Sequence, residues 1–447
     1  MIFLSWLLLL LPLVAGIKID WSSESSINDG LALLAKGLMD YYNGNDTGKT
    51  PGMFSNPYYW WEAGAAWNSM LDYWYYTGDT TYNSILKSSL QFQVGDYWDY
   101  MPSNQTTTEG NDDQGFWGIT VMAAAEKNFE NPNEDQPGWV YLAQAVFNTM
   151  AARWDEENCA GGLRWQIFTW NNGYDYKNTV SNGCLFNLAA RLARYTQNET
   201  YVEWAHRVWD WTKSVGFIID TEEWWPVYDG GFIKNNCTDT EPIEWTYNSG
   251  LLLSGAAVMY NYTNDAVWLT RAQGIWNRAR VFFLPGDIMY EAACQPSKQC
   301  NNDQRSFKGI FSRFLGLTCL MAPTMSLEIQ QYLANSSIAA AQSCSGGTDG
   351  HTCGLDWSHD GWDGYYGLGE QMSALEVMQN RLVWTRPPPL TEDTGATSVS
   401  NGSAGTVQAE RRVITHLTLG NKDKAGAGVI TALVLIFLLI ASWWLIF

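Results

Sequence analysis

The chain has 447 residues, 46% hydrophobic and 15% aromatic but only 16% charged, with 25 Trp, 23 Tyr and 40 Gly. Acidic residues outnumber basic ones 46 to 26, and the net charge of −20 argues against nucleic acid or any other polyanion as the partner. Disorder and collagen-like repeats are excluded by the same figures, while many flat rings beside uncharged hydrogen-bonding groups suit sugars, whose apolar faces are rimmed with hydroxyls.

From the N-terminus, Met1 to Gly16 carry an apolar run, Phe3 to Val14, that closes on Ala15 and Gly16, the pattern of a secretory signal peptide. Residues 17–385 form one long globular stretch in which helical periodicity dominates and β-type alternation is scarce. A unit recurs along it: a polar, aromatic loop, a helix rich in Gly, Ala and large apolar residues, a short turn, and a second, amphipathic helix. First helices begin near Trp60, Asn111, Asn182, Trp245, Asp303 and Gly364. Second helices begin at Asp79, Pro137, Thr200, Asp265 and Met325, with Ile27 to Tyr42 as a sixth member. Repeats of this length imply stacked or ring-closed hairpins rather than separate domains. The first helices carry small residues, as in Gly64-Ala65-Ala66, Ala123-Ala124-Ala125 and Gly255-Ala256-Ala257, which close packing on all sides requires. The expected fold is all-α, an (α/α)₆ barrel of six helical hairpins. Its ring topology gathers the loops before the inner helices at one end, over a cleft lined by Trp, Tyr, Asn and Asp.

Residues 386–424 open with Pro387, Pro388 and Pro389 and continue in Thr, Ser, Gly and Ala without periodicity, which predicts a stalk. Residues 425–447 end in nineteen uncharged, mostly apolar positions, Val429 to Phe447, behind the polar stretch Gly420 to Gly428. That layout matches a glycosylphosphatidylinositol (GPI) attachment signal, with Gly420 or Asn421 as the attachment residue and the tail removed. A plain C-terminal membrane span is the alternative, since nineteen residues just suffice for one.

Seven Asn-x-Ser/Thr sequons, at Asn45, Asn104, Asn198, Asn236, Asn261, Asn335 and Asn401, agree with export. Eight cysteines fit an oxidising compartment, and the short intervals Cys294 to Cys300 and Cys344 to Cys353 are the expected disulfides. His351, Cys353, Asp356, His359, Asp360 and Asp363 lie in a Gly-rich stretch that reads as a stapled loop better than as a metal site, so neither metal nor cofactor is expected.

The sharpest chemical feature is Gly110-Asn111-Asp112-Asp113-Gln114-Gly115-Phe116-Trp117-Gly118, two adjacent carboxylates at the start of an inner helix. Consecutive helical side chains diverge by about 100°, so the pair can flank a bond lying across the helix start. Glycoside cleavage needs such a pair, one to protonate the leaving oxygen and one to attack C1 or activate water. An ordinary capping role is the competing explanation for two acids in a first turn. Candidate sugar contacts are Trp60, Trp61 and Trp117 as stacking platforms, with Tyr228-Asp229 and Tyr247-Asn248 as polar partners; packing and turn roles compete at each.

That run, together with Tyr59-Trp60-Trp61-Glu62-Ala63-Gly64, Gly162-Leu163-Arg164-Trp165-Gln166, Asn172-Gly173-Tyr174-Asp175-Tyr176-Lys177-Asn178 and Tyr247-Asn248-Ser249-Gly250, resembles glycoside hydrolase family 76, in particular its fungal GPI-anchored cell-wall branch. The resemblance implies an (α/α)₆ barrel and retaining endo-α-1,6-mannosidase chemistry, with Asp112 matching the nucleophile and Asp113 the general acid/base. It also implies α-mannan or a GPI glycan as donor, cell-wall glucan as acceptor in transglycosylation, and a lipid-anchored protein at the outer cell surface. A plain mannan hydrolase and a non-catalytic mannan-binding surface protein are the alternatives.

Overall fold

A helix that is apolar or small on every side has no face to turn to water and must be surrounded. In a computed structural model describing residues 16–105, 108–406 and 421–446, the first large unit is built from α1 (Glu24–Met39), α2 (Trp60–Thr77), α3 (Asn83–Phe92), α4 (Asn111–Glu126), α5 (Trp139–Ala151), α6 (Thr179–Thr196), α7 (Glu199–Ser214), α8 (Thr246–Thr263), α9 (Ala266–Ala279), α10 (Phe307–Met321), α11 (Pro323–Ser343) and α12 (Leu368–Gln379). The even-numbered helices are the surrounded ones. In α4 every residue from Gln114 to Glu126 is buried. In α1, by contrast, only Ile27, Gly30, Leu31, Leu34, Ala35 and Leu38 are, a single stripe at helical spacing. Each even helix packs on the next, and α12 closes the ring onto α2, while the odd helices lie outside. The fold is the expected (α/α)₆ barrel.

Most boundaries follow local chemistry. Asn178, Asn198 and Asp265 cap α6, α7 and α9 by accepting a backbone N–H. Asp79, expected to open the second helix, instead takes the hydroxyls of Tyr73 and Thr81, and α3 starts four residues later. Likewise α10 starts at Phe307 rather than Asp303, because Asn301 and Gln304 bond each other's backbone N–H and hold that stretch as a turn.

A small antiparallel sheet of β1 (Tyr176–Asn178), β2 (Gly230–Phe232) and β3 (Thr240–Glu241) stands before α6, with Lys177 opposite Gly231. The Lys177 ammonium donates to the carbonyls of Asp155, Asn158 and Gly161 at 2.9, 2.6 and 2.6 Å, tying the preceding loop to the sheet. A hairpin of β4 (Phe283–Leu284) and β5 (Ile288–Met289) joins α9 to α10. Cys294–Cys300 and Cys344–Cys353 are bonded as expected, and the second staples the Gly-rich loop. A third bridge, Cys159–Cys237, spans 78 residues, and Cys184 and Cys319 remain buried thiols, so the even count does not mean full pairing.

Segment 386–406, expected as a free stalk, is laid against the barrel. Leu390 N–H bonds the Glu126 carbonyl at 2.8 Å, Ser398 accepts from Val140 N–H and Tyr195 O–H, and Asn401 N–H bonds Gln144. The outer wall offered this segment polar groups its composition gave no sign of needing. Of the sequons, Asn45, Asn104, Asn198, Asn236, Asn261 and Asn401 are exposed and Asn335 is half-buried. The second unit is described by itself: α13 (Asn421–Ile446) contains a stretch, Lys424–Trp443, long and apolar enough to cross a membrane. The expected signal peptide, apart from Gly16, and Gly420 lie outside the described residues, while Asn421 is the first residue of α13.

Candidate active site

Because hairpins alternate in direction, all inner helices present their N-termini at one end of the barrel, and there the partial positive charge of each helix favours carboxylates. A cleft of about 460 Å³ opens at that end. It is bordered by the starts of α2, α4, α6, α8 and α10: Tyr59 and Trp61, then Asp112, Asp113 and Phe116, then Tyr176 and Asn178 of β1 with Asp229 just before β2, then Trp245 and Tyr247, then Asn301, Asp303 and Phe307. Among the described residues no lysine, arginine or histidine borders it.

Asp112 and Asp113 occupy the first turn of α4. Asp113 Oδ2 accepts from the N–H of Gly110, the residue that caps the helix, at 2.5 Å. Asp112 Oδ2 accepts from the indole N–H of Trp165 at 3.1 Å. Gly110 is glycine for a steric reason: a side chain there would begin 2.4 Å from Asp112 Oδ1 and 3.0 Å from Asp113 Oδ2.

The electrostatics separate the two acids. Burial is the largest effect on both and raises both above the usual carboxylate range. Backbone N–H groups of Asp112 and Asp113 and the Trp165 indole pull Asp112 back down. Asp113 has only the Gly110 N–H in its favour, and the charge of Asp112 pushes it higher still. The pair therefore holds its proton more tightly on Asp113, and Asp112 is the acid that ionises first. Two further carboxylates face the same space. Asp229 accepts from Tyr176 O–H at 2.7 Å and Asp303 from Trp61 N–H at 2.9 Å, and burial raises both.

The candidate sugar contacts divide. Trp61, Asp229 and Tyr247 border the cleft, Tyr247 lying flat on Phe307 with ring centres 3.8 Å apart. Trp60 and Trp117 stack on each other inside the wall, Trp60 bonded to Gln93 and Trp117 also stacked on Tyr100. Tyr228 borders a separate surface groove beside the Cys159–Cys237 bridge, because the residue before Asp229 turns to the opposite side of the extended chain. Asn248 is buried in the first turn of α8. Sequence reasoning did not single out Asp303 or Trp165 as site residues. Asp303 carried a signal: Asn301-Asn302-Asp303-Gln304 nearly repeats Asn111-Asp112-Asp113-Gln114, and α10 stands opposite α4 in the ring.

A family model described as glycosyl hydrolase family 76 matches residues 26–393. The chain is 55% identical to the mannan endo-1,6-alpha-mannosidase DCW1 of Saccharomyces cerevisiae, over 97% of this chain and 96% of the relative. It is 53% identical to the mannan endo-1,6-alpha-mannosidase DFG5 of the same yeast, over 97% and 94%. The crystal structure of Dfg5 from Chaetomium thermophilum in complex with glucosamine superposes with a TM-score of 0.83 at 41% identity, covering 87% of this chain and 97% of that one. With the carboxylate pair at the mouth of a six-hairpin barrel, these likenesses make the chain a glycoside hydrolase that belongs to family 76.

Proposed function

We propose that the protein is a retaining endo-α-1,6-mannosidase that acts on α-mannan or the mannose core of a GPI glycan and passes the cleaved chain to cell-wall glucan. The observation that carries this reading is the Asp112–Asp113 pair bordering a cleft of indole and phenol rings, with Asp113 the acid that holds its proton more tightly. The activity for which the yeast relatives are named, mannan endo-1,6-alpha-mannosidase, supports the linkage. Asp112 attacks C1 while Asp113 gives its proton to the departing oxygen; Asp113 then takes a proton from the incoming acceptor as the C1–Asp112 bond breaks. Water as acceptor gives hydrolysis, and a glucan hydroxyl gives transfer. The apolar helix behind Asn421 supports a GPI signal, and with the sequons it supports a protein anchored at the outer cell surface.

A fluorinated α-mannosyl donor followed by peptide mapping tests the nucleophile: the label is expected on Asp112, and its absence in a protein that still binds mannan would favour a binding protein. Weighing the products from α-1,6-mannan fragments with and without β-glucan tests transfer. Free mannan fragments alone in both tubes would exclude it. Release of the protein from cells by a phosphatidylinositol-specific phospholipase tests the anchor, because a membrane-spanning helix does not respond.

A further inference from the structure

Trp165 is fixed on both sides before its ring meets the site. Its N–H bonds the Tyr176 carbonyl at 2.7 Å, joining it to β1, and its carbonyl accepts the Asn111 N–H at 2.8 Å, joining it to the first residue of α4. The ring lies against Gly173, whose φ of +96° and lack of a side chain make room for it: a Cβ there would stand 2.3 Å from the indole. So held, the indole N–H reaches Asp112 Oδ2. The other oxygen, Oδ1, is buried, pressed where a side chain at Gly110 would be. Oδ2 is therefore the oxygen able to meet a substrate, and it is the one Trp165 holds.

We infer that Trp165 is a positioning residue for turnover at Asp112, holding Oδ2 when it is a free carboxylate and letting go of it when it becomes an ester. The inference rests on the reading of Asp112 as nucleophile. In the first step C1–Oδ2 forms, the glycosidic C1–O bond breaks and the proton of Asp113 goes to the leaving oxygen. The hydrogen bond to Oδ2 weakens there, because an ester oxygen accepts less strongly than a carboxylate. In the second step the acceptor oxygen bonds C1, its proton goes to Asp113, and the C1–Oδ2 electron pair returns to Asp112. The indole N–H then meets a growing negative charge, which stabilises that transition state. Trp165 thus favours release of the glycosyl group over its capture.

The test compares the full chain with Trp165→Phe, which keeps a ring but removes the donor, and with Gly173→Ala, which displaces the indole but keeps it. In both, kcat on α-1,6-mannan fragments is expected to fall about tenfold and KM to fall with it as the glycosyl-enzyme accumulates. Mass spectrometry at steady state should find more of the adduct on Asp112 than in the unmodified chain. The acidic limb of kcat/KM should move up by about one pH unit, because the ionised carboxylate has lost a donor. A raised KM with an unmoved acidic limb and no extra adduct would make the ring a mere stacking surface and overturn the inference. If Trp165→Phe does not fold, an unmoved limb in a folded Gly173→Ala overturns it equally. Failure to label Asp112 in the unmodified chain is a different result: it refutes the nucleophile reading itself, whatever the variants do.

Discussion

The indole N–H of Trp61 bonds Asp303 Oδ1 at 2.9 Å and so ties the start of α2 to the loop before α10, 242 positions along the chain. This pair faces the catalytic candidates from the far side of the cleft, and the charge of Asp303 raises both Asp112 and Asp113. Asp303→Asn removes that charge and leaves the shape. The expected outcome is a pH–rate profile displaced to lower pH on both limbs, since each acid then ionises more readily. Trp61→Phe instead leaves a mostly buried carboxylate without its donor, and a rise in KM is expected because the wall of the cleft loses its brace. A profile that stays put in Asp303→Asn would show that this carboxylate is screened from the pair.

The barrel was readable because burial on all sides forces small residues into repeated inner helices, and that pattern survives in sequence. The place of Asp112 and Asp113 at the cleft is readable because the ring topology gathers the starts of the inner helices at one end; two acids in a first turn serve equally well as caps, so the pair alone does not give their role. Which aromatics border the cleft is not readable. Trp60 and Trp61 are neighbours in the first turn of α2, about 100° apart, so one faces Trp117 in the wall and the other Asp303 in the cleft. Adjacency in sequence cannot say which. Cys159–Cys237 was hidden for a related reason: its partners meet only because the sheet brings β2 back beside the loop that Lys177 ties down. Residues 386–406 are not legible as a strap because Ser, Thr, Gly and Asn serve equally well in a solvated linker and in a segment hydrogen-bonded to the barrel wall.

At the end of the barrel opposite the cleft, Arg191 and Glu126 form a buried pair, Nη2 to Oε2 at 2.6 Å, each about 4% exposed. Glu126 ends α4, so the guanidinium also meets the negative end of that helix. Arg191→Met leaves an uncompensated buried carboxylate and is expected to lower stability by about 3–5 kcal/mol. Joint replacement with Glu126→Leu should restore most of the loss. Denaturant midpoints of the three chains, with Asp112 labelling as a check on the distant site, decide it. Equal losses in the single and double variants would mean that the packing, not the charge, is at stake.

Stability should be greatest at acid pH. Burial raises Glu62 and Glu291 to about 8, whereas in the unfolded chain both titrate near 4.5. Between those values the folded state binds more protons than the unfolded one, so unfolding becomes easier as pH rises. The raised Asp112 and Asp113 act in the same sense. Lys308 and Lys177, lowered to about 8 by burial, act oppositely, but only above that pH. Denaturant midpoints are expected to fall from pH 5 to pH 7.5, and Glu62→Gln should flatten the slope. A midpoint that rises over this range would contradict the burial of these acids.

The strap after Arg386 makes a last distinction. If residues 386–406 were a stalk, chains ending at Thr385 and at Thr406 would unfold alike. In the structure the longer chain keeps Leu390 on the end of α4, Ser398 between Val140 and Tyr195, and Asn401 on Gln144, while Ala404 is almost fully buried. Each hydrogen bond contributes about 1 kcal/mol net, and without the strap the Tyr195 hydroxyl and Gln144 Oε1 lose their partners. The chain ending at Thr385 is therefore expected to melt several degrees lower and to be secreted less, with the difference concentrated between Pro389 and Thr406. A chain ending at Pro389 should behave like the shorter one. Amide exchange supplies the local readout: protection of Val140 N–H, in the first turn of α5, depends on Ser398 and should disappear in Ser398→Ala while the rest of the helix stays protected. Retained protection there would show that the strap rests on the wall without holding it.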